Sequence, residues 1–206
     1  MDWQALIETQ SALALVPAVL REVAEYREVK AGEMLFRLGV RPRSILYVIG
    51  GEVRLLRHAR NGDEIILQRS NGGFIAEASI DARAYHCDAV VTAAGAVLCL
   101  PIQAFKAALA QDNMFHQAWA AHLAREVRKL RARCERLSLN TAAARIIHYI
   151  EAEGVDGSVT LNQSRKAWAA ELGLTHEAMY RTLRRLQAGG VLNMDRNRNF
   201  SRLSLL

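Results

Sequence analysis

Between Ile45 and Ser70 the apolar positions come in short runs broken by glycine: "ILYVIG", "GEVRLLRHA" and "EIILQRS". Such runs predict strands, and Gly32, Gly39, Gly50, Gly51, Gly62, Gly72 and Gly73 mark the turns between them. "RNGDE" puts Asn61 and Gly62 between two runs, as a tight hairpin requires when both central residues take φ > 0. "AVVTAAGAVLCLP" predicts two more short strands around Gly95. Many short strands with regular turns predict a sandwich or jelly-roll barrel ending near Pro101. Ahead of it, Leu6, Leu13, Val16 and Leu20 predict one short helix over residues 1–20.

Beyond Pro101 the period becomes helical. "PIQAFKAALAQDN" predicts one helix, and residues 112–137 a second, with Asp112 or Asn113 as its N-cap. The second helix would be roughly 39 Å long. Its apolar positions are Phe115, Trp119, Leu123, Val127, Leu130, Cys134 and Leu137. That spacing is close to a coiled-coil seam, and so narrow a stripe is best buried against a second copy in a parallel homodimer. A helix lying on its own barrel is the alternative. Ser138, Asn140 and Thr141 then break the pattern, giving a domain boundary and a candidate hinge near Ser138–Asn140.

The last stretch carries the most specific pattern. "AAARIIHYIEAEG" predicts a helix ending at Gly154, and "VDGSVTL" a turn with a short strand. A helix from Ser164 to Glu171, a tight turn at Gly173 and a helix from Thr175 to Gln187 follow. Gly189 and Gly190 close that helix, and "VLNM", a polar tip "DRNRN" and "FSRLSLL" make a hairpin. This is the order of a winged helix-turn-helix. On the second helix Ala178, Leu183 and Leu186 are expected inward, flanked by Met179 and Thr182. Thr175, His176, Glu177, Tyr180, Arg181 and Arg184 are expected outward. Arg181 can donate a bidentate pair to guanine, and Glu177 can accept from cytosine N4. Arg184, Arg185, Arg196 and Arg198 suit phosphates. A winged domain that contacts protein instead, within a ligand-binding signalling module, is the rival reading.

Charge sharpens this picture. Lys and Arg balance Asp and Glu at 12 each over residues 1–111, but lead 6 to 3 over residues 112–137 and 9 to 6 over residues 138–206. The whole positive excess lies in the C-terminal half, a modest footprint for a polyanion. The chain has 206 residues, no apolar run long enough for a membrane span and no basic-then-apolar leader, so a cytoplasmic protein is expected. Its three cysteines are too scattered for a disulfide framework or a CxxC metal site. No nucleophile–base set, P-loop or paired carboxylates is visible, which argues against an enzyme.

"GEMLFRLG", "LYVIGGEVRLLRHARNGDEIIL", "GGFIAEASI" and "LTHEAMYRTLRRLQAGGVL" together resemble the CRP/FNR (cyclic-AMP receptor protein / fumarate-nitrate regulator) family of bacterial transcription regulators. The resemblance implies an α+β chain in three parts. They are a cyclic-nucleotide-binding-like β-roll sensor over 1–111, a dimerisation helix over 112–137 and a winged helix-turn-helix DNA-binding domain over 138–206. It also implies a homodimer on a palindromic operator and contact with RNA polymerase. The family's recognition-helix pattern, Glu-x-x-x-Arg, matches Glu177 and Arg181, with His176 before it.

The resemblance also outlines an effector pocket: Phe74, Ala76, Glu77, Ala78, Arg83, His86, Cys87, Leu130 and Arg131. Cyclic-nucleotide binders have a Gly before the pocket Glu and an Arg about ten residues after it. Here Ala76 replaces the Gly, and Cys87 with Asp88 stands where the Arg would be. Leu130-Arg131 replaces the Thr-Ser pair that meets adenine. A cyclic phosphate would lose a charge-assisted hydrogen bond of roughly 1.5–3 kcal/mol. These departures count against cyclic AMP as effector, with Arg83 as the one candidate substitute. His86 and Cys87 are haem-ligand types. As strand neighbours, though, they point to opposite faces, and structural roles are the simpler reading. Cys87 and Cys134 are also weighed as redox sites.

Overall fold

The first twenty residues are not one helix. They break into α1 (Trp3–Thr9), a 3-10 turn (Ser11–Leu15) and α2 (Ala18–Glu22). Pro17 causes the second break: it has no N–H to donate and holds the preceding Val16 extended, at ψ 118°, while the first falls at Gln10, at φ -134° and ψ 75°. Leu13, Val16 and Leu20 are nonetheless all buried, so the apolar spacing was right and the continuous helix was not.

A computed structural model describes residues 1–62, 64–161, 163–195 and 199–202. It divides into two compact units, Met1–His122 and Leu123–Leu206. No helix among the described residues is long and apolar enough to cross a membrane.

The first unit is an antiparallel roll of β1 (Glu25–Val29), β2 (Met34–Phe36), β3 (Ser44–His58), β4 (Glu64–Ser70), β5 (Gly73–Ile75) and β6 (Asp88–Pro101). β3 and β6 pair along nearly their whole length, from Ser44↔Pro101 to Leu56↔Asp88. β1 and β5 flank one half of this pair, β2 and β4 the other. Two continuous strands thus replace the four short ones expected around Gly50–Gly51 and Gly95. Those glycines bend the strands instead of ending them. A Cβ on Gly95 would lie 2.0 Å from the Gly50 carbonyl oxygen, and one on Gly51 2.4 Å from the Ala93 oxygen. Only glycine lets the two backbones cross so closely.

The β3–β4 hairpin also differs in detail. Gly62 N–H donates to the Ala59 carbonyl at 2.9 Å and Gly62 takes φ 88°, while Asn61 keeps a negative φ. With β3 ending at His58 and β4 starting at Glu64, the link is longer than a two-residue turn.

Both faces of β3's first half are covered. Leu46 and Val48 face the roll's interior with Phe36, Val53, Val91 and Val97. Tyr47 meets Phe74 edge-on at 4.8 Å. From α3 (Ile102–Gln111), Phe105 packs against Phe115 at 5.2 Å and Trp119 at 4.7 Å, and Trp119 reaches Phe74 at 5.1 Å. Phe115 and Trp119 are therefore buried within the first unit. This corrects their assignment to a dimer seam: the roll's own aromatic cluster claims the first two turns of the long helix. That helix is α4 (Asn113–Ser138), and Asp112 caps it by accepting from Phe115 N–H at 2.9 Å.

The second unit continues through α5 (Ala142–Glu153), β7 (Ser158–Thr160), α6 (Arg165–Glu171), α7 (His176–Ala188), β8 (Leu192–Met194) and β9 (Asn199–Arg202). The side chains of Thr141, Ser164 and Thr175 each accept a backbone N–H three residues on, capping α5, α6 and α7. The strands form a small antiparallel sheet in the order β7-β9-β8. Trp168 is its core, against Tyr149 at 5.4 Å and Phe200 at 5.0 Å. α7 buries Met179, Thr182, Leu183 and Leu186, one face at i, i+3, i+4 and i+7. Met179 is thus a core residue and Ala178 only a flank, the reverse of the sequence expectation.

Candidate nucleic-acid interface and effector pocket

The turn between α6 and α7 is fixed by chain chemistry. Gly173 takes φ 63°, and Leu174 N–H donates back to the Ala169 carbonyl at 2.9 Å. Burial of one α7 face leaves the other to solvent. His176, Glu177, Arg181, Arg184 and Arg185 are exposed, while Tyr180 is half-buried. The His176 ring meets Tyr180 at 4.5 Å, and the Arg165 guanidinium lies 5.3 Å over the Tyr180 ring. Arg165 also donates to the Met194 sulfur at 3.3 Å, so Tyr180 is steadied from α6 and β8. His176, Glu177, Tyr180, Arg181 and Arg184 line one open depression. Glu177 titrates below the ordinary carboxylate range. Its own backbone N–H is the main cause, helped by the Thr175 hydroxyl, His176 and Arg181 and opposed by slight desolvation. Thr175 itself is spent on the cap, accepting from Ala178 N–H at 3.2 Å. Arg196 and Arg198 lie outside the described residues.

This face offers exposed guanidinium donors and one carboxylate acceptor on a single helix side. Arg165 was missed in the sequence, because its partners Tyr180 and Met194 are distant in the chain.

The pocket residues are spread more widely. β5 leads through Ala76, at φ 72° and ψ 10°, into a 3-10 turn over Glu77–Ser79. Phe74 and Ala76 are buried. The Glu77 carboxylate lies 3.7 Å from His122 Nε2, with only 13% and 12% of the two side chains exposed. Phe74 and Trp119 bracket the His122 ring at 5.3 and 4.9 Å. His122 was not among the pocket residues expected from the sequence, where it was weighed only with His116, six residues away and wrongly spaced for a zinc pair. Its position three residues after Trp119, on the same helix side, was the available signal.

Ala78, Arg83 and His86 are exposed, and Cys87 is buried in the roll core. The two are not strand neighbours, since both lie in a bend before β6 begins at Asp88, so strand alternation is not what separates the exposed His86 from the buried Cys87. Burial pushes the Cys87 thiol up, Asp88 adds to this and Arg57 opposes it, which disfavours a reactive thiolate. Asp88 accepts from Leu38 N–H at 2.8 Å. Leu130 and Arg131 are exposed on the part of α4 that falls in the second unit. Along the remaining seam positions Leu123 is half-buried, Cys134 is exposed, and Val127, Leu130 and Leu137 are 45%, 56% and 40% exposed.

Residues 26–112 match the family model of the cyclic nucleotide-binding domain. No curated protein matches the chain significantly. Among solved structures, a putative cyclic nucleotide binding protein from Ruegeria pomeroyi is 25% identical with a TM-score of 0.59, covering 97% of this chain and 92% of that one. FixK2 from Bradyrhizobium japonicum is 21% identical with a TM-score of 0.66, covering 88% and 93%. TTHB099, a CRP-family transcriptional regulator from Thermus thermophilus, is 23% identical with a TM-score of 0.57, covering 87% and 92%.

Proposed function

We propose that this chain, a cyclic nucleotide-binding-domain protein built on the architecture of CRP/FNR regulators, is a dimeric, sequence-specific DNA-binding transcription regulator. The observation that carries the reading is the outer face of α7. Its buried stripe orients Glu177 and Arg181, four residues apart, to the same side, with His176 and Arg184 beside them. A guanidinium that reads guanine and a carboxylate that reads cytosine suit a major groove, and the flanking arginines suit phosphates. A second copy joined along Leu123, Val127, Leu130, Cys134 and Leu137 would present two such helices about one DNA turn, roughly 34 Å, apart. RNA polymerase is the partner through which a regulator of this kind acts.

Cyclic AMP is not the signal in this reading. Cys87, in place of the phosphate-binding arginine, is packed into the core, and Glu77 faces His122. Two experiments test these statements. Selection from a randomised duplex library should yield a palindrome whose binding falls steeply with salt, and Arg181→Ala should bind without sequence preference. Failure to enrich any sequence would leave the protein-contacting alternative standing. Calorimetric titration with cyclic AMP should give no saturable heat up to about tens of micromolar; saturation there would overturn the pocket reading.

A further inference from the structure

Resting on the DNA-binding reading, we infer that Arg145 is a positioning residue, locking the last turn of α4 to the turn that starts the recognition helix.

One guanidinium reaches four backbone carbonyls. Arg145 Nε donates to Leu139 at 2.9 Å and Nη2 to Leu137 at 3.1 Å, both at the end of the long helix. Nη1 donates to Leu172 at 3.1 Å and Gly173 at 3.2 Å, in the turn between α6 and α7. These helix-end carbonyls have no partner within their own helices, so one planar cation satisfies both ends at once. The fit is close. A Cβ on Gly173 would meet Arg145 Nη1 at 3.1 Å and Leu137 Cδ2 at 3.2 Å, and the position already needs φ 63°.

The neighbouring residues reinforce the lock. Arg136, only 1% exposed, donates to Glu153 on α5 at 2.7 Å and sits 3.8 Å from Glu171 on α6. Its guanidinium also lies 4.6 Å over the Tyr149 ring. Glu135 reaches His148 Nε2 at 3.3 Å. Residues 135–139 are therefore cross-braced to α5, α6 and the turn. The segment near Ser138–Asn140, whose cap residues suggested a hinge, is not free to bend: any rotation of the last helical turn is passed directly to the start of α7. In a dimer this sets the separation at which two recognition helices are offered.

Half-site spacing reads this role where simple stability does not. The probe is the palindrome selected by the wild-type protein, remade with its half-sites one base pair closer and one further apart. The wild type should prefer its own spacing by about ten-fold or more, a geometric penalty comparable to one mismatched pair. Arg145→Lys keeps the charge but cannot bridge four carbonyls. It should reduce that preference to within about three-fold while selecting the same half-site bases. Ile150→Val, a core change in the same unit, should lower the melting temperature and leave the spacing preference intact. Arg136→Lys, at the other brace, should relax the spacing as Arg145→Lys does, so the idea remains exposed should the first variant not fold. Unchanged spacing preference in the folded lysine variants would overturn the lock while sparing the DNA-binding reading. A wild type that selects no sequence would remove both.

Discussion

Ala76 holds φ 72°, a conformation costing a residue with a Cβ on the order of 1–3 kcal/mol. Glycine there removes the strain but gives up a buried methyl, about 0.8 kcal/mol, and adds backbone freedom worth roughly 0.5–1 kcal/mol. The strain wins narrowly, so Ala76→Gly should raise the melting temperature by up to about 3 °C. Ala76→Val, which adds a branch at a positive φ in a buried site, should lower it clearly. A fall for the glycine variant in thermal unfolding would mean that methyl packing outweighs the strain. Tyr149 offers a second check. Burial, then Glu171 and Glu153, pushes its hydroxyl from 10.0 up to about 12, with a Gln163 hydrogen bond and Arg136 opposing. A group raised on folding contributes stability that is intact below its unfolded value and lost as pH rises through the folded one. Stability of the second unit should therefore decline between pH 10.0 and about 12. Tyr149→Phe should remove that decline, as followed by denaturant unfolding at each pH.

α4 divides what periodicity reveals from what it hides. An apolar spacing of three and four was legible from Phe115 to Leu137, but the spacing cannot say which surface covers each turn. Phe105 and Phe74, from other elements, claim Phe115 and Trp119. Strand continuity was hidden for a similar reason: Gly50, Gly51 and Gly95 look like turns until two backbones are seen to cross there. The caps were legible, because Asp112, Thr141, Ser164 and Thr175 act within three residues of themselves. The Arg145 and Arg136 braces were not, since their acceptors lie up to 35 positions away, as Arg136 and Glu171 show. What remains exposed on α4 makes a definite prediction. With Val127 and Cys134 at one heptad position and Leu123, Leu130 and Leu137 at the other, a parallel in-register pair brings Cys134 against its own copy. Mild oxidation with copper-phenanthroline should give a covalent dimer that Cys134→Ser abolishes. Cys87 and Cys99 should not substitute, as burial raises both thiols. Leu130→Lys should shift sedimentation towards monomer. An antiparallel or absent dimer would give no Cys134 cross-link.

At the scale of the whole molecule, charge and shape divide the work between two kinds of arginine. The excess of cations lies entirely beyond residue 111, so the roll adds nothing net to the attraction for a polyanion. Within the second unit, α7 separates its cations by position. Arg181 is four residues from Glu177 on the face that would enter the groove, while Arg185 is in the last turn. If Arg185 meets phosphate, removing it from both copies eliminates two counterion-releasing contacts. The slope of log affinity against log salt should then become shallower by about 1.8, with the selected bases unchanged. Arg181→Ala should do the opposite, flattening base preference with an affinity loss of roughly 1–3 kcal/mol per half-site. Anisotropy titrations over a salt series, on the selected palindrome and on scrambled duplex, separate the two. Equal slope changes for both variants would mean that α7 lies along the backbone and reads no bases, and the selectivity would then have to come from the shape of the DNA.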